Sequence, residues 1–210
     1  MAIQSINCCI FSTGPTKNIL MNISFAREAK CRFDPLAKKF GLSFVTSNER
    51  EVRYESKEVL LKVNFDNGRS FELDVEIGKK DGRYPGPPFS LQEILKLRKS
   101  EEAGSIYSFL ASNEEKFKKI LDQLANLTVK YAADFLMNGE FSFMQIEKFR
   151  NRESIEFELA AQLSYARSLA MEAWSARDYA SIIRELGPIE AHLNPEEKKL
   201  LNSSREELSL

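Results

Sequence analysis

Histidine is almost missing from this sequence of 210 residues, which holds a single one, His192. One histidine cannot supply the several imidazole ligands of zinc and iron enzymes. A Ser-His catalytic triad is not indicated either, because no G-x-S-x-G motif occurs. His192 precedes Asn194 and Pro195, a helix-start pair, so we expect it near the end of the preceding helix. We assign no catalytic, cofactor-binding or metal-binding residue.

Cysteine is also scarce. The three cysteines, Cys8, Cys9 and Cys31, cannot all pair within one chain, and no C-x-x-C motif is present. This pattern excludes a disulfide scaffold and predicts a reducing compartment, for which we expect the cytoplasm. The sequence contains no apolar run of about 18 residues, so it predicts no membrane span.

Neither sign of charge dominates, since 30 basic residues face 31 acidic ones. A nearly neutral chain argues against a protein whose main work is to neutralise a phosphate backbone. The charge is nevertheless uneven: residues 1–100 carry +5 and residues 101–210 carry −6. Such a dipolar chain could offer each half to an oppositely charged partner, although solvated helix surfaces explain the same drift.

The first 20 residues carry a single charge and lack the continuous apolar stretch of a secretory signal. We expect residues 1–20 to form a flexible extension, or a leader ahead of an alternative start at Met21. A helical period follows from residue 22, with apolar residues at Phe25, Ala29, Phe33, Leu36 and Phe40. Asp34-Pro35 predicts a kink or a restart of this helix, and Gly41 predicts its end.

The period then changes to two in four segments rich in β-branched and aromatic residues, which predicts antiparallel strands. The segments are 42–47, 51–56, 59–65 and 71–77. Asp66-Asn67-Gly68 separates the last two and is typical of a hairpin. Apolar residues alternate with polar ones along both, so we expect the sheet to bury one face only.

Helical patterns occupy the rest of the chain. Capping boxes at Ser90 and Ser112 predict two helix starts. The second of them opens what we expect to be the longest helix, with Asn138-Gly139 as its stop. A phenylalanine-rich connector over 141–149 then precedes a helix near 153–176, and shorter helices follow.

This order of elements predicts an α+β fold, with an N-terminal helix and a three- or four-stranded antiparallel sheet followed by an all-helical C-terminal part. We expect a sheet domain over 21–110 and a helical domain or subdomain over 111–210.

A basic loop follows the last predicted strand. Residues 78–88 hold three glycines and three prolines, and they concentrate Lys79, Lys80 and Arg83 beside Tyr84. The segment is not a P-loop, because the preceding glycine and the magnesium-binding hydroxyl are missing. These residues could contact nucleic acid or an acidic protein. A connector that crosses the sheet edge is the simpler interpretation.

Three carboxylates alternate along the last predicted strand. Glu72, Asp74 and Glu76 should therefore project from one face, ~6.6 Å apart. Such a row could bind a cation, act as acid and base, or meet a protein partner. The simpler interpretation is a solvated face that Lys62 and Arg69 neutralise across the strands.

Residues 160–190 resemble a single helical hairpin of the tetratricopeptide type. The resemblance rests on the segment Ala170–Tyr179, AMEAWSARDY, in which Asp178-Tyr179 matches the family's turn. Bulky Ile182 stands where the family prefers a small residue, Pro188 falls inside the second helix, and no second copy follows. One unit of this kind implies a helical hairpin without a repeat groove.

Residues 42–97 resemble small uncharacterised bacterial proteins, some of the toxin-immunity kind. The segments that carry this resemblance are Arg53–Ser56, Val75–Gly78 and Phe89–Leu95. The resemblance implies a protein that binds a partner without catalysing a reaction.

The missing catalytic chemistry favours a non-catalytic protein-binding function, adaptor-like or immunity-like, with a partner that the sequence does not identify. The candidate contact residues are Glu72, Asp74, Glu76, Lys79, Lys80, Arg83, Tyr84, Trp174 and Tyr179.

Two alternatives remain open. A nucleic-acid-associated protein could use the basic residues near the N-terminus together with the basic loop. Those N-terminal residues are Arg27, Lys30, Arg32, Lys38 and Lys39. An acid/base enzyme could use the strand carboxylates, provided that they face a cleft.

Overall fold

The computed structural model describes residues 24–84, 86–103 and 109–209. It confirms an α+β fold in which a helix, an antiparallel sheet and then helices follow one another. The helices are α1 (Phe25–Lys39), α2 (Leu91–Leu97), α3 (Glu114–Tyr131), α4 (Ala133–Leu136), α5 (Glu140–Ser175), α6 (Tyr179–Leu186) and α7 (Pro195–Leu208), with a 3-10 helix at Gly187–His192. The strands are β1 (Ser43–Ser47), β2 (Glu51–Glu55), β3 (Val59–Phe65), β4 (Leu73–Lys79) and β5 (Phe89–Ser90). The extension expected over residues 1–20 lies outside the described residues.

The sheet has five strands in chain order, β1 to β5, and every neighbouring pair is antiparallel. The sequence predicts three or four strands, and β5 is the fifth. The additional strand, β5, has two residues, which pair with Glu76 and Ile77 of β4. It follows Pro87 and Pro88 and is too short to show an alternating pattern in the sequence. Its two residues are a strand because they pair with the edge of β4.

One face of the sheet is buried, as expected. Residues along β2, β3 and β4 alternate between buried and half-buried. Helices cover the apolar face and share its hydrophobic core. Phe65 of β3 lies 5.6 Å from Phe25 of α1 and 5.1 Å from Phe117 of α3, measured between ring centroids. These contacts hold α1 and α3 on the sheet.

Helix α1 runs through Pro35 without the expected restart. Proline lacks the N–H that would bond the carbonyl of Cys31 four residues earlier, which weakens that turn. Asp34 and Pro35 are nonetheless held in the helix by packing, because Phe33 and Leu36 on either side are buried in the core. Cys31 itself is an exposed free thiol.

The β3–β4 hairpin has a longer loop than a two-residue turn. The side chain of Asp66 accepts hydrogen bonds from the backbone N–H groups of Gly68, Arg69 and Ser70. Phe71 has a φ of 54°, outside the β region. The sequence pattern predicted a strand from residue 71, but β4 begins at Leu73.

Helix α3 begins one residue later than the Ser112 box predicts. Asn113 is its N-cap, and the Asn113 side chain accepts from the N–H of Lys116 at 2.8 Å. The expected single helix to Asn138-Gly139 is interrupted at Ala132 and continues as α4. The stop is confirmed. Asn138 has a φ of 63°, and a Cβ on Gly139 would lie 2.7 Å from the carbonyl oxygen of Asp134.

The prediction of a phenylalanine-rich connector over 141–149 is wrong, because these residues are helical. They form the beginning of α5, which extends for 36 residues and is the longest helix. Phe143 is buried against Phe135 and Phe89, at centroid distances of 5.1 and 6.2 Å. Burial of this ring places the start of α5 in the hydrophobic core that covers the sheet, which we call the first core.

The chain divides into two compact units, the first ending at Ile146 and the second beginning at Glu147. The boundary lies later than the one expected after residue 110, because α3, α4 and the start of α5 share the core of the sheet. The second unit has its own core, built from the end of α5, α6, the 3-10 helix and α7: Ala170, Ala173, Ile182, Leu186, Leu193 and Leu201.

Over residues 160–190 the chain forms the end of α5, a turn, α6 and the beginning of the 3-10 helix. Helix α6 has only eight residues, and Gly187-Pro188 starts the 3-10 helix that follows. Exposed His192 ends that 3-10 helix, before the Asn194 cap of α7. Within the described ranges, none of the helices combines the length and the apolar character that crossing a membrane requires.

Candidate functional site: the polar sheet face

The face of the sheet opposite the core is polar and partly accessible to water. Strand alternation and register bring its residues side by side on β2, β3, β4 and β5. We call this surface the polar sheet face, defined by Glu51, Arg53, Glu55, Leu60, Lys62, Asn64, Glu72, Asp74, Glu76 and Ser90. It carries five carboxylates and two cationic side chains, so acidic charge prevails.

The two cationic side chains of the polar sheet face both pair with carboxylates of β2. Lys62 Nζ lies 3.5 Å from Glu51 Oε2, and Arg53 Nε donates to Glu55 Oε1 at 2.7 Å. Lys80, just after β4, also pairs with Glu55. The Lys80 hydrogen bond, together with Arg53, keeps the pKa of Glu55 below its usual range. The β2 half of the face is therefore neutralised.

The carboxylates on β4 and just before it, at Glu72, are left without such partners. Lys62 lies directly opposite Glu76 in the register of β3 and β4, but its ammonium group forms an ion pair with Glu51 instead. Among the residues that the structure describes, Glu72, Asp74 and Glu76 form no ion pair. The expected neutralisation of this row across the strands by Lys62 and Arg69 is therefore wrong.

Asp74 shows the electrostatic consequence. Burial and the negative charges of Glu76, Glu72 and Glu93 together raise its pKa to about 7, against the backbone N–H of Val75, which donates to it at 2.7 Å. A carboxylate in this position is costly because it loses hydration and gains no cation. We call Glu72, Asp74 and Glu76 the acidic row.

The basic loop is turned inward toward the start of α5. Lys79 Nζ lies 2.8 Å from Glu140 Oε2, Arg83 Nη1 lies 3.1 Å from Glu140 Oε1, and the Tyr84 hydroxyl donates to the same oxygen at 2.8 Å. The Lys79 side chain is only 1% exposed. The bonds from Lys79 and Tyr84 lower the pKa of Glu140. This cluster fastens the loop within the first unit.

The other basic candidates are partly used as well. Lys30 pairs with Asp34 at 3.3 Å, and Arg32 pairs with Glu28 at 2.8 Å and with Asp122 at 2.6 Å. Arg27, Lys38 and Lys39 form no ion pair with any residue in the described part of the chain. Of the eight cations named for nucleic-acid binding, three thus keep an unpaired charge.

A shallow groove of about 390 Å³ lies between α1 and the start of β1. Within it, the Tyr54 hydroxyl donates to Asp34 Oδ1 at 2.7 Å, and Lys30 Nζ lies 3.5 Å from the centre of the Phe44 ring. Burial and the bond to Asp34 raise the pKa of Tyr54. Its hydroxyl therefore keeps its proton and links β2 to α1.

The aromatic pair of the second unit lies at the corner between α5 and α6. Trp174 is 45% exposed and makes an edge contact with Tyr179 at 6.2 Å between centroids. Tyr179 is half-buried against the second core. The sequence places both rings near the turn, and the fold leaves only Trp174 largely open.

Three residues with a role at these sites, all glutamates, were not predicted from the sequence. Glu140 receives the basic loop although it lies some sixty residues away in the chain. Its one local signal is an acidic residue in the first turn of a helix. Glu51 and Glu55 capture the cations that were expected to neutralise the acidic row.

In residues 24–84, 86–103 and 109–209, no three His, Cys, Asp or Glu side chains are grouped so that they could hold a metal ion.

Comparisons of the chain with protein-family models, with curated proteins and with solved structures find no match.

Proposed function

We propose that this protein acts by binding another protein, as an adaptor or an immunity protein does, and that the acidic row receives a basic patch of that partner. The observation that supports the proposal is the uneven pairing of charge on the polar sheet face. Cations pair with both carboxylates of β2 on this face, whereas the acidic row on and just before β4 has none. A lysine or arginine of a partner would supply the missing counter-charge.

The energetics favour a charged partner over a purely apolar one. Asp74 is held partly dehydrated beside other carboxylates, which raises its pKa to about 7. A cation of the partner, bound beside Asp74, would lower the pKa of Asp74 and would reduce the repulsion between the carboxylates of the acidic row. Complementary charge of this kind raises association rates and selects partners.

The test is affinity capture from a native lysate with the full chain and two triple variants. Glu72→Gln/Asp74→Asn/Glu76→Gln neutralises the acidic row. Glu49→Gln/Glu101→Gln/Glu115→Gln changes net charge equally at exposed carboxylates elsewhere in the first unit. We expect wild type and the control triple variant to recover one partner protein in stoichiometric amount. The acidic-row triple variant should not recover it. Equal recovery by both triples would contradict the proposed site.

A nucleic-acid-associated function ranks second, because Arg27, Lys38 and Lys39 keep unpaired charge on or beside α1. Binding of this kind should weaken steeply as salt is added. Absence of binding to DNA and RNA at low ionic strength would dismiss it. An acid/base enzyme ranks third: the raised pKa of Asp74 suits proton transfer, but like-charge crowding and burial already account for it.

A further inference from the structure

Strand β1 forms one edge of the sheet, and this edge is open in the described part of the chain. There β1 pairs with β2 alone, so its other side offers backbone N–H and C=O groups to which no strand is bound. The sequence of β1, SFVTS, contains no charge and no proline, and four of its five residues are exposed. Charged residues, prolines and covering segments are the usual protection of an edge strand. An edge without them can receive another extended chain.

A groove runs beside this edge, between β1 and α1. We call it the α1–β1 groove, and its charged and aromatic side chains are Lys30, Asp34, Lys38, Phe44 and Tyr54. Phe44 is 46% exposed and makes an edge contact with Tyr54 at 6.1 Å between ring centroids. From Lys30 to Lys38 the helix rises ~12 Å, which is the length of about four extended residues. The groove is therefore long enough for a short extended peptide.

The side of α1 along this groove is basic. It carries three cations, Arg27, Lys30 and Lys38, and one carboxylate, Asp34. Arg27 shares one side of α1 with Asp34 and Lys38, because seven and eleven residues are close to two and three full turns. The Asp34 carboxylate already accepts from the Tyr54 hydroxyl at 2.7 Å and from Lys30 at 3.3 Å. Arg27 and Lys38 form no ion pair with any described residue, so this side of α1 attracts an acidic occupant.

We propose that the open edge of β1 and the α1–β1 groove bind an acidic extended segment of a partner protein, which is added to the sheet as a strand beside β1. Main-chain hydrogen bonds to β1 hold the segment, as in other cases of strand addition. Phe44 contacts its apolar side chains, and the cations of α1 pair with its carboxylates. This binding does not depend on the acidic row, which belongs to β4 and the residues just before it.

The open edge favours a peptide over a nucleic acid. Nucleic acid would meet the same cations, but its sugar-phosphate backbone has no amide groups to pair with the edge of β1. The exposed apolar side chains of the strand, Phe44 and Val45, are 46% and 49% exposed and offer no contact to phosphate. A peptide satisfies the edge, the apolar side chains and the cations together.

Two features argue against a second copy of this chain as the occupant. The register of β1 and β2 shifts between Phe44 and Thr46, which marks a β-bulge. A bulge bends a strand and interrupts its ladder, so two copies of β1 would each interrupt the pairing, whereas a short peptide needs only a few bonds. Antiparallel pairing of two β1 strands would also place both α1 helices on the same sheet face, where their cations repel each other.

The first test pans a phage library of random dodecapeptides against the full chain. We expect enrichment of peptides that combine Asp or Glu with β-branched residues. A fluorescein-labelled synthetic copy of the most enriched peptide is then titrated with the protein, and its anisotropy gives the dissociation constant. A lack of enrichment would overturn the proposal. Enrichment of basic peptides alone, which the acidic row would select, would also overturn it but would support the function proposed above.

Variants then locate the bound peptide. Lys38→Glu should weaken binding about fivefold, because it reverses a charge of the groove. Lys119→Glu is its matched control, since Lys119 is an exposed lysine of α3 outside the groove. Phe44→Asp should weaken binding at least about tenfold, because it replaces an apolar contact by a repelling charge. Phe141→Asp is the control for the exposed ring. Equal binding by the variants and their controls would overturn the proposal.

Circular dichroism checks that each variant is folded. Lys38→Glu changes a fully solvated position and decides the question by itself if Phe44→Asp does not fold.

The second test examines the addition of a strand directly. Alternate residues of a strand direct their N–H groups to opposite sides, so only every second N–H of the peptide faces β1. Two forms of the enriched peptide are therefore synthesised, N-methylated at its odd or at its even positions. One form should lose binding and the other should keep most of it. Equal loss, or equal retention, would show that the peptide is not a strand of the sheet and would overturn the proposal.

The other occupants give different results. Sedimentation equilibrium that shows dimers of wild type, together with their dissociation in Phe44→Asp, would indicate a second copy. Binding of a single-stranded oligonucleotide that Lys38→Glu abolishes, without enrichment of any peptide, would indicate a nucleic acid. Either result would overturn the proposal.

Discussion

Asp74 differs from the other described carboxyl groups because its pKa is clearly raised. Its carboxyl group is largely removed from water, near Glu72, Glu76 and Glu93, and no described cation neutralises it. The folded chain therefore holds the proton of Asp74 more tightly than the unfolded chain does. The stability that Asp74 contributes is complete below its ordinary pKa of 3.8 and is lost as the pH rises through about 7.

Asp74→Asn imitates the protonated side chain and retains an oxygen for the Val75 N–H. At pH 8 this variant should raise the free energy of unfolding by about 1–2 kcal/mol, and the gain should shrink toward pH 4. Urea unfolding at a series of pH values measures the difference. Asp122→Asn is the control and should give no gain at pH 8, because it removes a carboxylate that bonds Arg32. A pH-independent gain in Asp74→Asn would contradict this assignment.

The Lys79–Glu140 pair is asymmetric, since the lysine is buried and the glutamate is half exposed. Glu140→Gln strands a buried ammonium group and should lower the urea midpoint clearly. Lys79→Met should cost less, because Glu140 keeps Arg83, Tyr84 and water.

Glu115→Gln is the matched control for Glu140→Gln. Glu115 lies in the first turn of α3, as Glu140 does in α5, so both changes remove the same helix-dipole contact. Only Glu140→Gln removes the partner of a buried cation. A larger loss in Lys79→Met than in Glu140→Gln would show that the ammonium group is not the costly member.

At the scale of elements, the N-cap of α3 separates two adjacent polar residues. Asn113 caps the helix, whereas Ser112 is exposed and precedes the cap. Asn113→Ala should cost about 1 kcal/mol, because the N–H of Lys116 loses its acceptor. Ser112→Ala should change the free energy of unfolding by no more than a few tenths of that. Chemical denaturation of the two variants checks the assignment, and similar losses would refute it.

Local sequence signals predicted elements well where one short-range interaction determines them. The Ser90–Glu93 capping box and the Asp178 turn are present as expected, because their hydrogen bonds join residues three apart. The start of α5 was missed because Phe141 and Phe143 show no single apolar side. Phe143 is buried while Phe141 is open, and only contact with the first core distinguishes them.

At the scale of the whole molecule, the two hydrophobic cores share no residue. Loss of packing in one unit should therefore leave the other intact. Leu201→Ala empties a fully buried site of α7 and should cost the second unit roughly 2–4 kcal/mol. Amide hydrogen exchange should accelerate in α6 and α7 and stay unchanged in β3.

Leu208→Ala is the control in the same helix, because Leu208 is exposed. It should leave exchange in both units nearly as in wild type. Equal acceleration in β3 and α6 of the Leu201→Ala protein would show that the units unfold together.

The amino-acid sequence by itself determined the α+β class, the alternation that buries one sheet face, and most helix ends. These properties depend on residues close together in the chain, whose periodicity and capping are readable in order. Tertiary structure alone decided the fifth strand, the capture of the basic loop by Glu140, and the unpaired acidic row. The physical reason is that the ion pair a charged side chain forms depends on all the groups that folding brings near it. Lys62 pairs with Glu51 rather than with Glu76, which lies opposite it in the sheet.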